Sequence, residues 1–194
     1  MLDLCTGTGC IALLLAAETR CEVVGVDLSP SAVACAEANL RAATPLLHAG
    51  SMVEFMRGDV FDDLFIGDVA ATKGGFDVVV SNPPYISAAG YERECEISVR
   101  RWEPRLALVA EEGGDAFYKR IGDVAEMCDA GVVVVETGAG GQEVRVKEEF
   151  EGTGWQSGVW RDYRGRGRCV VAWKGEQGAN GWGEGPVMYA ENEN

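Results

Sequence analysis

The chain opens with Met1-Leu2-Asp3-Leu4-Cys5-Thr6-Gly7-Thr8-Gly9, in which a short apolar segment runs directly into a glycine loop. The segment from Met1 to Cys5 has the composition of a buried strand, and the apolar pattern of Ile11 to Glu18 predicts a helix after the loop. Gly7 and Gly9 allow a tight turn and a close backbone approach to a ligand above the start of that helix. This strand–loop–helix unit is typical of open α/β sheets, which bind ligands at the carboxyl ends of their strands.

Further apolar runs alternate with helical patterns along the chain, which indicates βαβ units on a parallel sheet. We predict strands over 22–27, 52–57, 76–81 and 132–136, and helices over 30–42, 114–128 and 143–151. Over residues 83–112 we predict a long functional loop. The segments 155–161 and 169–173 predict an antiparallel pair of strands across the turn that begins at Asp162. The predicted fold class is therefore α/β, a Rossmann-like and mostly parallel sheet with an antiparallel C-terminal hairpin.

A chain of 194 residues can bury a full core, and we expect one domain over residues 1–174. From residue 175 to 194 the sequence is glycine-rich and polar without periodicity, which predicts a disordered tail. The chain begins inside its first strand, and a first strand in this fold lies near the centre of the sheet. We therefore expect that an N-terminal segment of the natural domain is missing here.

Charge and cysteine usage exclude several function classes. A net charge of −14 disfavours a nucleic-acid substrate, because phosphate contacts normally need a basic surface. The 7 cysteines include no C-x-x-C pair, and His48 is the only histidine, so we expect no metal site. Free thiols indicate a reducing compartment, which is the cytoplasm or the mitochondrion. No apolar stretch reaches the roughly 18 residues of a membrane span.

A carboxylate at the end of the second strand completes a cofactor site. Asp27 lies 20 residues after Gly7, at the spacing that lets a carboxylate accept hydrogen bonds from both hydroxyls of a ribose. Because Ala12 follows at the third fingerprint position, the loop also satisfies the dinucleotide pattern, so a nicotinamide cofactor is one alternative.

S-adenosylmethionine is favoured because the ends of the other strands also carry suitable residues. Asp3 can attract the methionine ammonium or fix the loop, and Asp59 with Val60 can hold adenine. The candidate cofactor-binding residues are Asp3, Cys5, Thr6, Gly7, Thr8, Gly9, Asp27, Leu28, Asp59, Val60 and Asn82.

The fourth predicted strand ends in Asn82-Pro83-Pro84-Tyr85, and these four residues are the candidate catalytic residues. Two prolines fix φ and lack N–H donors, so the nearby carbonyls face outward. The side-chain oxygen of Asn82 and the carbonyl of Pro83 can then accept both hydrogens of one planar amino group. Tyr85 can stack against the flat substrate. Such a site suits the nitrogen of an amide or of a nucleobase.

The later segments carry a resemblance to a known family. They are Val99-Arg100-Arg101-Trp102-Glu103-Pro104-Arg105-Leu106-Ala107-Leu108, then Gly113-Gly114-Asp115, then Glu136-Thr137-Gly138 with Gln142, and finally Asp162-Tyr163 with Arg168. Together with the loop and the motif at 82–85, the chain resembles class I methyltransferases and, more closely, the HemK/PrmC release-factor glutamine methyltransferases over about residues 1–173. Two positions depart from the family pattern. Cys5 stands where the family usually has glycine, and Ser98 stands where it is usually acidic, although Glu96 is close.

The resemblance implies a seven-stranded class I methyltransferase fold and transfer of a methyl group from S-adenosylmethionine to the amide nitrogen of a glutamine. The implied partner is a peptide chain release factor with a Gly-Gly-Gln loop, and we expect a monomer without stable nucleic-acid or membrane binding. The family carries a helical substrate-docking domain in front of this region, which we expect to be absent. Two alternatives stay open, namely methylation of an adenine or guanine amino group, and a cofactor-binding remnant without activity.

Overall fold

A computed structural model of the chain describes residues 1–93, 95–138 and 140–175. The expected disordered tail lies outside the described residues, apart from Gly175. The chain divides into two compact units. The first comprises Met1–Pro83 and Asp123–Ala130, and the second comprises Pro84–Gly122 and the chain from Gly131 onward.

Nine strands are present among the described residues. They are β1 Leu2–Leu4, β2 Glu22–Asp27, β3 Met52–Arg57, β4 Val78–Ser81, β5 Ile86–Ser87, β6 Val109–Ala110, β7 Val132–Glu136, β8 Gln156–Arg161 and β9 Gly167–Trp173. Seven of them form one mostly parallel sheet that ends in an antiparallel hairpin, while β5 and β6 form a separate parallel pair. This confirms the predicted α/β fold class.

Eight α-helices lie between and after these strands in the described chain. They are α1 Cys10–Glu18, α2 Pro30–Ala43, α3 Asp63–Lys73, α4 Ala88–Arg93, α5 Ile97–Trp102, α6 Arg105–Leu108, α7 Ala116–Met127 and α8 Gln142–Gly152. Short 3-10 turns occupy Thr44–Leu46 and Glu112–Gly114. Helices α2 and α3 have capping residues that the sequence supplies. Ser29 accepts a hydrogen bond from Ala32 N at the start of α2, and Gly74 ends α3 in the left-handed conformation.

In the first unit the strands follow the order β3-β2-β1-β4, and every pair is parallel. Leu4 pairs with both Val26 and Ser81, and Asp27 pairs with Arg57. The carboxyl ends of the four strands therefore meet at one edge of the sheet. In the second unit β9 lies between β7 and β8 and is antiparallel to both, which is the hairpin that the sequence predicts.

The core beneath the glycine loop is made of small and branched side chains. Ala12 and Ala16 on α1 and Ala36 on α2 are fully buried, and Phe55 on β3 packs against the same cluster. Small residues on both helices let them approach the sheet closely, since an interior packs to the density of an organic crystal. This packing fixes the start of α1, where the glycine loop ends.

The sequence-based boundaries differ from the structure in several places. Cys5 is a turn residue rather than the last residue of β1, α8 begins at Gln142, and β9 begins at Gly167. Helix α3 was missed, although Asp62 caps it and Gly74 ends it. The stretch 83–112 is not a continuous loop, because it contains β5, β6 and three short helices.

Candidate active site

The glycine loop after β1 is held by backbone hydrogen bonds. Thr6 N donates to Val26 O at 3.0 Å, and Gly9 N donates to Thr6 O at 2.9 Å. Gly7 and Gly9 both adopt positive φ, at 57° and 80°. A Cβ on Gly9 would lie 2.5 Å from the Phe55 ring, whereas a Cβ on Gly7 would meet no atom within 4 Å. Gly9 is therefore required by packing below the loop, and the space above Gly7 is open.

Asp27 ties the loop to the end of β2. Its Oδ2 accepts a hydrogen bond from Gly7 N at 2.8 Å, and its Oδ1 accepts one from Ser29 N at 2.9 Å. The Asp27 side chain is half-buried, and Leu28 beside it is 45% exposed. A carboxylate oxygen has more than one acceptor site, so both oxygens can accept a further donor from a ligand.

Asp3 is a fully buried carboxyl group beneath the same loop. Its Oδ2 accepts hydrogen bonds from Thr6 Oγ1 at 2.6 Å and from Ala12 N at 3.2 Å, so Asp3 fixes the loop to the first turn of α1. Its Oδ1 is buried and has no hydrogen-bond partner among the described residues. Burial raises the pKa of Asp3 to about 6, although the two hydrogen bonds oppose the rise.

Cys5 and Thr8 complete the loop. Cys5 is half-buried with a φ of 58°, a left-handed conformation that favours glycine. Burial raises the pKa of the Cys5 thiol to about 12, with a further contribution from the Asp27 carboxylate. Thr8 is exposed, and its carbonyl accepts a hydrogen bond from Asn39 Nδ2 at 2.9 Å. The tip of the loop is thus anchored to α2.

Asp59 and Val60 follow β3 and face different environments. Asp59 is exposed, and its Oδ1 accepts a hydrogen bond from Phe61 N at 2.9 Å, while Val60 is buried. The residue that caps helix α3 is Asp62, whose Oδ1 accepts from Leu64 N and Phe65 N. Asp59 is therefore not the helix cap, and its exposed carboxyl group lies just after the end of β3.

Asn82 is exposed at the carboxyl end of β4, directly after the buried Ser81. Ser81 Oγ donates to Leu4 O at 2.7 Å, which fixes the end of β4 against the end of β1. Pro83 after it is buried. The first unit thus presents an exposed amide side chain at the same sheet edge as the glycine loop, Asp27 and Asp59.

Pro84 and Tyr85 open the second unit. Pro84 is buried and Tyr85 is half-buried. The Tyr85 hydroxyl donates to Glu136 Oε1 at 3.3 Å, and burial together with the Glu136 charge raises the pKa of Tyr85. The tyrosine ring is therefore held in place as a neutral phenol. Its surroundings include Gln142, for which sequence reasoning proposed no role.

Two kinds of feature are missing from residues 1–93, 95–138 and 140–175. No three His, Cys, Asp or Glu side chains are grouped so that they could hold a metal ion. In the same ranges, no helix combines the length and the apolar character that crossing a membrane requires.

Comparison with known proteins identifies the domain. A family profile described as a methyltransferase domain matches residues 1–94. The chain is 31% identical over 182 residues to a protein of Schizosaccharomyces pombe named probable MRF1 mitochondrial N(5)-glutamine methyltransferase mtq1. It is 39% identical over 178 residues to the release factor glutamine methyltransferase of Vibrio cholerae. The chain is therefore similar over most of its length to release factor glutamine methyltransferases. Both alignments cover 88% of this chain, which spans 58% and 56% of the length of these two relatives.

A solved structure supports the fold of the domain. A structure described as the E. cuniculi Mtq2-Trm112 complex, responsible for methylation of the eRF1 translation termination factor, is 19% identical to this chain, with a TM-score of 0.54. The similarity covers 90% of this chain and 84% of the other. At this level of identity the likeness is one of fold.

The methyltransferase domain implies S-adenosylmethionine as the methyl donor. The observed site fits that molecule in three respects. The buried Oδ1 of Asp3 lacks a partner in the described chain, as expected beside a site for a cation or donor. The space above Gly7 is open, and the acceptors of Asp27 and Asp59 lie at the ends of neighbouring strands. The groups of the ligand that match them are an ammonium, a ribose and an adenine amino group.

Proposed function

We propose that this chain transfers a methyl group from S-adenosylmethionine to the side-chain amide nitrogen of a glutamine in the Gly-Gly-Gln loop of a peptide chain release factor. The observation that carries the proposal is the exposed Asn82 side chain at the sheet edge that also holds the glycine loop and Asp27. The names of the relatives support the choice of a glutamine substrate.

The residues of the first unit would hold the methyl donor, which supplies a methyl group made electrophilic by a sulfonium. Gly7 provides a close backbone approach, and Asp27 provides acceptors for the ribose hydroxyls. Asp59 accepts from the adenine amino group and Val60 contributes an apolar contact, while Asp3 stabilises the ammonium. Cys5, Thr6, Thr8, Gly9 and Leu28 shape the loop around these groups.

Asn82 and Pro83 act on the glutamine amide, whose nitrogen is a weak nucleophile because its lone pair is delocalised into the carbonyl. The Asn82 side-chain oxygen and the Pro83 carbonyl accept the two amide hydrogens and hold the nitrogen in line for transfer. Alignment of this kind supplies several kcal/mol and up to about 7–11 kcal/mol in ideal intramolecular reactions. The same acceptors stabilise the positive charge that develops on nitrogen, and the methylated nitrogen then loses one of its protons to water. Pro84 keeps the backbone rigid, and Tyr85 clamps the plane of the amide.

The partner is a protein rather than a nucleic acid, because the net charge of −14 opposes contacts with phosphates. The enzyme acts as a monomer in a compartment that keeps its seven cysteines reduced, either the cytoplasm or the mitochondrion. All seven cysteines are free thiols, in agreement with such a compartment.

Incubation with labelled S-adenosylmethionine tests the proposal. We expect label on a release factor and none on the same factor with its Gly-Gly-Gln glutamine replaced by alanine. Total RNA and genomic DNA are included as parallel acceptors. Label on nucleic acid but not on the release factor would overturn the proposed substrate, and label on no acceptor with normal binding of S-adenosylhomocysteine would overturn the activity.

A further inference from the structure

The Gln142 side chain is a buried hydrogen-bonding centre in the second unit, at the start of α8. It is 4% exposed, although glutamine is usually found at the surface. Its Oε1 accepts hydrogen bonds from Gly138 N at 2.7 Å and from the Tyr118 hydroxyl at 3.3 Å. Its Nε2 faces three acceptors, which are Asp115 Oδ1 at 2.6 Å, Gly114 O at 3.1 Å and Tyr85 O at 3.2 Å. One amide group thus connects the segments around residues 85, 114, 118 and 138.

Tyr85 is held at three separate points by this part of the unit. Its backbone carbonyl accepts from Gln142 Nε2, and its hydroxyl donates to Glu136 Oε1. Its ring lies over Gly138, where an added Cβ would come within 3.0 Å of the ring. Gly114 lies against the Tyr85 carbonyl so closely that an added Cβ would be 2.3 Å from the oxygen. The backbone and the ring of Tyr85 are therefore fixed together.

A neutral amide is the group that this position requires. The site presents donors on one side and acceptors on the other, and glutamine offers both an acceptor oxygen and an NH₂ donor. A carboxylate would face the Tyr85 and Gly114 carbonyls and the Asp115 carboxylate with no hydrogen to donate. Arg145 Nε pairs with Asp115 Oδ2 at 2.6 Å. Burial tends to raise the pKa of Asp115, but hydrogen bonds from Arg145 and Gln142 lower it, so Asp115 stays ionised.

The residues hydrogen-bonded to Gln142 and Tyr85 lie in sequence segments that have no role in the proposed methyl transfer itself. Tyr118 is buried, and its single hydroxyl hydrogen is shared between Gln142 Oε1 and the Glu136 carbonyl, which lies 3.1 Å from the hydroxyl oxygen. Arg168 Nη2 lies 3.3 Å from Glu136 Oε1, the oxygen that accepts the hydrogen bond from the Tyr85 hydroxyl. Gly114 with Asp115, Glu136 to Gly138, Gln142 and Arg168 all belong to the segments that carry the family resemblance. In the structure these segments surround Tyr85.

We propose that Gln142 is a positioning residue for the methyl transfer. It acts through Tyr85, because it fixes the backbone and ring of this tyrosine, which clamps the plane of the substrate amide. The proposal rests on the proposed function of the Asn82-Pro83-Pro84-Tyr85 motif. Gln142 does not touch the reacting atoms. Its loss therefore lowers the rate of transfer through misalignment and leaves the affinity for the methyl donor unchanged.

Gln142→Glu tests the proposal, because it preserves the shape of the side chain and removes the NH₂ donor. Gln156→Glu is the matched control, since Gln156 is an exposed glutamine of the same unit whose Nε2 bonds to Gly175 O. We expect Gln142→Glu to lower kcat by about 10- to 100-fold, the size of effect that a small misplacement of reacting groups produces. The KM for S-adenosylmethionine and the Kd for S-adenosylhomocysteine stay at wild-type values, and Gln156→Glu matches wild type throughout.

A double-mutant cycle separates positioning from a general loss of stability. If Gln142 acts through Tyr85, Gln142→Glu lowers kcat little further in a Tyr85→Ala background. Full additivity of the two losses would overturn the proposal, as would wild-type kcat in Gln142→Glu. Tyr118→Phe removes one donor to Gln142 with little change of volume. If Gln142→Glu does not fold, Tyr118→Phe replaces it, and a smaller fall in kcat at unchanged KM is the supporting result.

Hydrogen exchange gives a readout that does not depend on the substrate. We expect Gln142→Glu to speed amide exchange in a peptide that spans residues 84–90, while peptides of the glycine loop exchange as in wild type. If wild type transfers no methyl group to a release factor, the proposed function fails. Faster exchange near Tyr85 would still support the positioning role of Gln142, and unchanged exchange would overturn it.

Discussion

The backbone N–H of Gly7 donates to Asp27 Oδ2 at 2.8 Å, so the carboxylate at the end of β2 holds the glycine loop that follows β1. Asp27 thus has a structural task in the loop as well as its proposed contact with a ribose. Both tasks are performed by the same two oxygens. A substitution at this position tests how far the loop depends on the carboxylate.

Asp27→Ala is expected to weaken binding of S-adenosylhomocysteine by about 10- to 100-fold. Loss of hydrogen bonds to a charged group costs about 1.5–3 kcal/mol. Isothermal titration measures the affinity, and Asp77→Ala is the control because Asp77 is exposed just before β4, at the opposite end of the strands. Equal affinity of Asp27→Ala and wild type would contradict the proposed cofactor site.

Gly9→Ala and Gly7→Ala are expected to differ in stability, although both glycines have positive φ. At Gly7 only backbone strain applies, about 1–2 kcal/mol. At Gly9 the new methyl group also meets the Phe55 ring and Ala36, which adds about 1–3 kcal/mol of overpacking. Urea unfolding of both variants measures the difference. A Gly9→Ala protein as stable as Gly7→Ala would show that the Phe55 ring moves aside at no cost.

The buried Asp3 carboxyl group is expected to make stability fall as pH rises from about 4 to about 6. Its pKa is raised from 3.8 to about 6 in the folded chain, so in this range the unfolded chain loses the proton first. A rise in pKa of about two pH units corresponds to about 3 kcal/mol of unfolding free energy. This contribution is present in full below pH 4 and is lost above pH 6. Unfolding of wild type and Asp3→Asn across this range measures it. The difference in unfolding free energy between the two proteins should change with pH, and a constant difference would refute the raised pKa.

The Cys5 thiol is expected to resist alkylation in the folded protein. Its pKa is raised to about 12, so roughly one molecule in ten thousand carries the reactive thiolate at pH 8. Cys10 and Cys35 are exposed and serve as internal controls. Iodoacetamide labelling followed by peptide mass mapping should show both exposed thiols modified well before Cys5. Labelling of Cys5 at the same rate would mean that the loop opens readily.

The sequence predicted the parallel strands well because their signals are local. The valine-rich segments of β2, β4 and β7 are strand-sized and bounded by polar residues, and each lies where it was expected within a few residues. Helix α3 was missed although its signals are also local. Asp62 and Gly74 mark its two ends, and Ile66, Val69 and Ala70 form its buried face. The intervening polar residues broke up the apolar pattern on which the prediction relied.

The contacts of the site residues could not be predicted from spacing. The expected acidic residues do stand at the ends of their strands, since the carboxyl ends of parallel strands share one edge. Their partners depend on the packed structure. No local signal shows that Asp3 would be buried with one oxygen lacking a partner among the described residues. Nor does one show that Gln142 would bond to Tyr85 and Asp115, which are 57 and 27 residues away in the sequence. Cys5 departs from the glycine of the family pattern, and in the structure it adopts a left-handed φ.

Asn82→Ala is the decisive variant, because Asn82 is proposed to align a glutamine amide for methyl transfer. The measurement is the rate of label transfer from S-adenosylmethionine to a release factor, with S-adenosylhomocysteine affinity determined on the same preparation. We expect transfer to be abolished while the affinity stays close to that of wild type. An Asn82→Ala protein that methylates the release factor at a near-normal rate would contradict this role.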